Sequence, residues 1–270
     1  MVKTKRITVV GASGRMGQML CRAVEEKPDL ELAGLIEIAS HPLIGVAAKE
    51  KILGLKSALN FSSDVEEALS LSDAVIDFTN PETSVKIANL AAKHKVVSVI
   101  GSTGFSQLQL KEIAKSASKV TIIRAGNMSL GVNLLVYLTE IASRSLNNNF
   151  LSKVYEVHHK HKIDHPSGTA LMLGKGIAIG KNKDFYNLVG KKYLNKKNFP
   201  YGKKINFNSI RKGETIGEHE VKFSSGKEII TLNHEAFDRA LYSEGALTAA
   251  KWLMGKKPGF YSMRDVLNFK

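Results

Sequence analysis

The chain has 270 residues, 43% of them hydrophobic and 24% charged, and carries a formal charge of +14. This is ordinary globular composition, long enough for one large domain or two modest ones. No apolar run approaches the ~20 residues of a membrane helix. The Ile7–Val10 run behind Lys3, Lys5 and Arg6 is too short for a signal-peptide core, and Cys21, the single cysteine, excludes an internal disulfide and a cysteine-based metal site. A soluble cytoplasmic protein is expected.

Strand and helix signals alternate through the first half. Ile7–Val10 reads as a buried strand, residues 14–24 as a helix with Cys21 as a small buried thiol, and 31–36 as a second strand that delivers Glu37 at its end. Residues 73–79 read as a strand, followed by Asn80 and Pro81 as cap and first-turn pair for a helix over 82–93. Strands over 96–100 and 120–123 flank a helix over 107–115 and run into Gly101-Ser102-Thr103 and Ala125-Gly126-Asn127-Met128. Such alternation implies a parallel sheet with helices on both faces.

The pattern then changes. A long helix is expected over 130–146, a strand over 153–158 and a helix over 167–179, and the lysine-rich stretch 181–204 has no clear period. Runs at 205–211, 219–223 and 228–232 alternate in the strand manner without intervening helices, which suggests a separate, largely antiparallel sheet. A helix over 238–254, with the lone Trp252, follows. Lys181, Lys183, Lys191, Lys192, Lys196, Lys197, Lys203 and Lys204 carry much of the excess charge, but arginine is absent and aromatic interleaving is thin. A solvated loop whose field attracts anionic ligands is therefore favoured over nucleic-acid binding.

Two segments point to chemistry. Gly11, Gly14 and Gly17 lie between a strand and a helix, where small residues let a pyrophosphate approach the helix amides. Ser13 takes the middle glycine position of the commoner spacing. Glu37, about 20 residues on, is placed to accept hydrogen bonds from ribose hydroxyls. Its carboxylate repels a 2′-phosphate and no arginine follows, so NADH is expected over NADPH, which stays possible. Arg15 and Met16 begin the helix and serve either packing and surface charge or an adenosine or phosphate contact. The loops 101–103 and 125–128 fall on the same carboxyl edge of the sheet.

The second segment runs from His158 to Thr169. His158, His159 and His161 suggest zinc, but a strand splits them between two faces, and no cysteine or nearby glutamate triad completes a site, so no metal is expected. A proton-donating anion site fits better. His158 and Lys162 are four apart, Pro166-Ser167-Gly168-Thr169 opens a helix whose amides can dock a carboxylate, and His or Lys can supply a proton. Asp164 either orients an imidazole or caps the helix.

These residues carry a resemblance. Val9 to Gly17, Ile76 to Thr79, Ile100 to Phe105, Glu156 to Asp164, Pro166 to Leu171, Arg211, Gly217 to His219 and Met263 to Leu267 resemble the dihydrodipicolinate reductase family of the diaminopimelate route to lysine. The resemblance implies an α/β fold: a Rossmann-like parallel-sheet domain (1–128 and 238–270, dinucleotide-binding) plus an inserted α+β domain with a mixed, largely antiparallel sheet (129–237, substrate-binding and oligomerisation). It implies reduction of 4-hydroxy-tetrahydrodipicolinate, a cyclic dicarboxylate, to tetrahydrodipicolinate by a homotetramer. His158 would be the acid/base and Lys162 the proton donor. His159, Gly168 and Thr169 would bind substrate carboxylates. Gly11, Ala12, Ser13, Gly14, Arg15, Met16, Glu37, Gly101, Ser102, Thr103, Ala125, Gly126, Asn127 and Met128 would hold the cofactor. Ile38 stands where many relatives carry an arginine, and His165 where some carry a small residue. The rival readings are a related amino-acid dehydrogenase and an NADH-binding redox sensor that touches nucleic acid.

Overall fold

A computed structural model describes residues 4–189, 198–199 and 205–269. The chain divides into two compact units, residues 1–129 with 240–270, and residues 130–239. Of the lysines singled out above, Lys181 and Lys183 are described; Lys191, Lys192, Lys196, Lys197, Lys203 and Lys204 lie outside the described residues.

The first unit is built on seven parallel strands in the order β12-β6-β5-β4-β1-β2-β3. These are β1 (Lys5–Val10), β2 (Leu30–Ile36), β3 (Phe61–Ser62), β4 (Ala74–Asp77), β5 (Val97–Ile100), β6 (Thr121–Arg124) and β12 (Gly259–Tyr261). β4 and β5 are buried at every position, as strands covered on both faces must be, and so read as apolar runs rather than alternations. Helices α2 (Val65–Ser70), α3 (Pro81–His94) and α4 (Gln107–Ala117) pack through Leu69, Ile87, Ala91 and Ile113. α1 (Arg15–Glu25) packs with α8 (Ala240–Leu253). The cap expected at Asn80 is present, its side-chain oxygen accepting from the Thr83 amide at 3.0 Å with Pro81 in the first turn.

β1 lies between β2 and β4 while the chain runs β1, β2, β3, β4. That reversal opens a crevice at the carboxyl ends of the strands, where open α/β sheets bind ligands. Gly11, Glu37, Asp77, Gly101 and Ala125 all stand at that edge. Residues 39–72 and 255–269 carry short elements that the periodicity does not foretell: a 3₁₀ turn at Ala48–Glu50, β3, α2, β12 and α9 (Met263–Val266).

The second unit holds a five-stranded sheet, β11-β10-β7-β9-β8. Its strands are β7 (Leu151–His158), β8 (Asn198–Phe199), β9 (Ile205–Arg211), β10 (Gly217–Ser224) and β11 (Ile229–Ala236). All pairs are antiparallel except β7 with β9, which are parallel. β7, β9 and β10 alternate buried and less buried positions, one face against α5 (Leu130–Ser145) and α6 (Gly168–Gly180) through Val154, Leu173, Ile177, Phe207, Val221 and Phe223. The expectation that residues 181–204 form only a solvated loop needs correction. Phe185–Val189 make a short helix, α7, whose Phe185, Leu188 and Val189 join this core. No described helix is long and apolar enough to cross a membrane.

Candidate functional site

In the first unit the glycine loop has the shape a pyrophosphate needs. Gly11 adopts φ +71°, and a Cβ at Gly17 would stand 2.0 Å from the Gly11 carbonyl oxygen, so only glycine lets α1 start this close to β1. Gly14 is the N-cap of α1 and offers no side-chain cap bond, which leaves the first helix amides to a ligand. This is a fit for a dinucleotide phosphate. Ala12 is fully buried behind the loop, whereas Arg15 is exposed and Met16 half-buried.

Ser13 does more than replace a glycine. Its amide and its hydroxyl both donate to Glu37 Oε1, each at 2.7 Å, so this carboxylate is fixed to the glycine loop. His41, which sequence reading missed, lies 3.3 Å from Ser13 Oγ through Nε2 while its Nδ1 accepts from the Leu43 amide. Gln18 donates to the Ser13 carbonyl at 2.7 Å. Ile38 is exposed beside this group.

A buried polar network supports the neighbouring strand ends. Asp77 Oδ1 accepts from the Thr79 amide at 2.8 Å and hydroxyl at 2.5 Å. Asp77 Oδ2 accepts from Ser84 Oγ at 2.5 Å, and Ser84 Oγ lies 2.9 Å from Ser102 Oγ. Burial pushes the Asp77 carboxyl up, against the hydrogen bonds from Ser84 and Thr79. Ser102 is thus turned into the domain, while Gly101 is half-buried and Thr103 exposed. Gly126 is exposed; Ala125, Asn127 and Met128 are buried, with Asn127 Oδ1 accepting from the Ser129 amide at 2.8 Å.

In the second unit β7 ends at His158, and His159 to Pro166 form a loop before α6. His158 and Lys162, four apart in sequence, share neither a strand nor a helical turn. The Lys162 amide donates to the His159 carbonyl at 3.1 Å in a turn, and its ammonium pairs with Asp164 Oδ1 at 2.8 Å. Asp164 therefore neither orients an imidazole nor caps α6. Burial would raise its carboxyl, but the Lys162 ammonium holds it below the usual carboxylate range. The cap is Ser167, accepting from the Ala170 amide at 3.1 Å, and Pro166 precedes it instead of occupying the first turn. Gly168 is exposed at the start of α6, with no other atom within 4 Å of where a Cβ would sit. A carboxylate can reach the helix start there.

His159 and His161 stand with ring centroids 6.2 Å apart. Desolvation and the charges of Arg239, His158, His161 and Lys162 hold His159 below the usual imidazole range. The same cations favour a dianionic ligand. Arg239 had no signal in the sequence beyond its charge.

The statement that no nearby glutamate completes a donor group also needs correction. Glu156, two residues before His158 on β7, shares its face, and His219 on β10 is the register partner of Glu156. Glu156, His158 and His219 are 1%, 7% and 3% exposed, and one ligand atom from each lies within 4.8 Å of the others. Glu156 Oε1 accepts from the Ser167 amide at 2.9 Å and faces Arg211 Nη2 at 3.3 Å. Oε2 lies 3.4 Å from His158 Nδ1. Burial alone would raise the Glu156 carboxyl; the polar contacts from His158, Ser167 and Ser209 outweigh it and hold it well below the carboxylate range. Burial pushes His219 down to about 3, so it is neutral.

Comparison with known proteins follows this division. The family model described as dihydrodipicolinate reductase, N-terminus, matches residues 5–128, and that described as dihydrodipicolinate reductase, C-terminus, matches residues 131–267. The 4-hydroxy-tetrahydrodipicolinate reductase of Pelagibacter ubique is 60% identical over 269 residues, covering 100% of both chains. That of Ruegeria pomeroyi is 43% identical over 261 residues, 97% of each. A dipicolinate-bound dihydrodipicolinate reductase from Paenisporosarcina superposes with a TM-score of 0.78 at 23% identity, covering 99% of this chain and 100% of that one, a likeness of fold. An amine dehydrogenase from Mycobacterium smegmatis shares the fold more distantly, with a TM-score of 0.67 at 11% identity and coverage of 96% and 95%. With both halves matched and full-length relatives at such identity, this chain belongs to the dihydrodipicolinate reductase family.

Proposed function

We propose that this protein reduces 4-hydroxy-tetrahydrodipicolinate to tetrahydrodipicolinate with NAD(P)H, releasing water, in the diaminopimelate route to lysine. The observation that carries the proposal is the 60% identity over the whole chain to a reductase of that name. The dipicolinate in the Paenisporosarcina structure gives the ligand class, a planar ring with two carboxylates.

The nucleotide is assigned to the first unit, with the pyrophosphate on Gly11 to Met16 and the ribose on Glu37. Bound nicotinamide supplies the hydride. Gly101 to Thr103 and Ala125 to Met128 shape the strand-end edge beside it, Ser102 and Asn127 by holding the loops in place. Because Oε1 of Glu37 is occupied by Ser13, Oε2 is the oxygen offered to the ribose hydroxyls, and its charge favours NADH over NADPH.

The dicarboxylate is assigned to the second unit. One carboxylate docks on Gly168 and Thr169 at the start of α6, and His159 with Arg239 faces the other charge. Lys162 gives a proton to the acceptor, and His158 acts as acid/base. Orientation and cations fixed where negative charge develops supply the acceleration, and no metal enters the reaction. The protein acts as a cytoplasmic homotetramer assembled through the sheet of the second unit.

The test is nicotinamide oxidation by the purified protein when the preceding synthase makes the substrate in place from pyruvate and aspartate semialdehyde. Synthase-dependent oxidation, faster with NADH than with NADPH, supports the reading. Binding of NADH without such oxidation contradicts the substrate assignment.

A further inference from the structure

We propose that Glu156 is the positioning residue for His158: it holds a proton on Nδ1, so that Nε2 is the ring nitrogen that exchanges a proton with the substrate. This rests on the assignment of His158 as acid/base above.

The geometry of the buried group carries the inference. Among the described residues, Glu156 Oε2 and His158 Nδ1 are each buried without a hydrogen bond, and they face each other at 3.4 Å. A buried carboxylate oxygen and a buried ring nitrogen each cost free energy when left unpaired, so a proton on Nδ1 directed at Oε2 satisfies both. The other carboxylate oxygen cannot swing to take its place. It is anchored by the Ser167 amide and the Arg211 guanidinium, and Arg211 also donates to the carbonyls of Lys162, at 3.2 Å, and Asp164.

The far side of the ring agrees. A Cβ on Gly217, at the start of β10, would lie 3.2 Å from His158 Nε2, so the glycine keeps space at that nitrogen. The ring of His219 packs edge-on against that of His158 at 4.9 Å and is neutral, so it brings no charge to the imidazole. Other groups around the pair are Ser209 and Arg211 on β9, His234 opposite His219 on β11, and His159 and Lys162 with Asp164 in the loop.

Glu156 reaches further than the imidazole. By taking the Ser167 amide it fixes the residue that caps α6, and through Arg211 it fixes the backbone that carries Lys162. One carboxylate thus sets the acid/base, the proton donor and the carboxylate-binding helix start in a single frame. The proton leaves from Nε2 while Glu156 stays ionised.

Glu156→Gln is the discriminating variant. Its carbonyl can still accept from Ser167 and Arg211, but its amide offers a donor to Nδ1 and so favours the wrong tautomer. In the synthase-coupled assay kcat should fall by about 10²-fold or more, with NADH affinity and thermal midpoint near wild type. The limb of the pH profile that depends on His158 should move lower, because the carboxylate charge beside the ring is gone. Glu156→Asp, which keeps the charge, should recover part of kcat and return the limb toward its wild-type position. Nitrogen NMR of histidine-labelled wild-type protein should show His158 protonated on Nδ1 and titrating on Nε2.

Wild-type kcat and pH profile in Glu156→Gln, with His158→Ala inactive, would overturn the role of Glu156 alone. Full activity in His158→Ala would overturn the assignment of His158 as well. Equal losses in Gln and Asp that track their thermal midpoints, or an Nδ1 that carries the titrating proton, would also refute the proposal.

Discussion

Replacing Glu37 by alanine should shift the protein from NADH toward NADPH. Two charge-assisted bonds of 2.7 Å hold Glu37 Oε1 to Ser13, and the side chain is only half-buried, so water can take over the Ser13 donors. The cost falls mainly on the ligand. A hydrogen bond to a charged group contributes about 1.5–3 kcal/mol, so losing a ribose contact should weaken NADH by about 10-fold or more. For NADPH the balance is opposite. Unit charges 4 Å apart repel by about 1 kcal/mol in bulk water and about 4 kcal/mol at an effective dielectric of 20. Removing the carboxylate therefore relieves a 2′-phosphate by about as much as the lost contact costs, and NADPH binding should hold steady or tighten. The ratio of the two dissociation constants, read by quenching of Trp252 or by calorimetry, should move by about 10²-fold. An unchanged ratio would refute the assignment of Glu37 to the ribose.

Other perturbations follow from the same geometry. Gly17→Ala places a methyl 2.0 Å from the Gly11 carbonyl oxygen and 2.6 Å from Ala12 Cα, so α1 must move from β1. The thermal midpoint and NADH affinity should both drop, at about 1–3 kcal/mol of overpacking, and a variant unchanged in both would contradict the tight loop. His219 is held near 3 by burial against an ordinary 6.5, so the unfolded chain takes up a proton below pH 6.5 that the folded chain refuses. Stability should therefore fall as pH drops through that window, by about 2 kcal/mol from 6.5 to 4.5, and His219→Asn should flatten the loss; a pH-independent thermal midpoint over this range would count against it. Glu156 adds its own loss only below 4.5, where the unfolded carboxylate protonates first. Cys21 is fully buried with its thiol pushed up to about 12 by desolvation, so native protein at pH 8 should resist alkylation that goes to completion in denaturant. Rapid native modification would show that α1 opens.

Much of the fold was legible because the elements that carry it have strong local signals. β4 and β5 are continuous apolar runs, and Asn80-Pro81 is a cap that its own side chain makes. The glycine loop and Glu37 could be placed at the strand-end edge because the strand ends and the start of α1 carry local signals. What escaped was set by packing. Phe185, Leu188 and Val189 are buried by the second unit's core although their lysine-rich surroundings read as solvent-exposed. β3 and β12 are short edge strands, defined by pairing with Leu35 and with Thr121 to Ile123 rather than by their own pattern. The group around His158 was half visible: Glu156 lies two residues away in a strand, but its alignment with His219 is a cross-strand register and its tie to Arg211 spans 55 residues. The pairing of Lys162 with Asp164 and the cap at Ser167 needed the actual loop, since a strand or helix was the wrong frame for residues 159–166.

The most direct test of the whole account is the turnover of His158→Ala and Lys162→Ala in the synthase-coupled assay, with NADH affinity measured on the same preparations. Each should lose about 10²–10⁴ in kcat while binding NADH as the wild type does. Wild-type turnover in both variants would contradict the claim that the loop after β7 carries the proton chemistry.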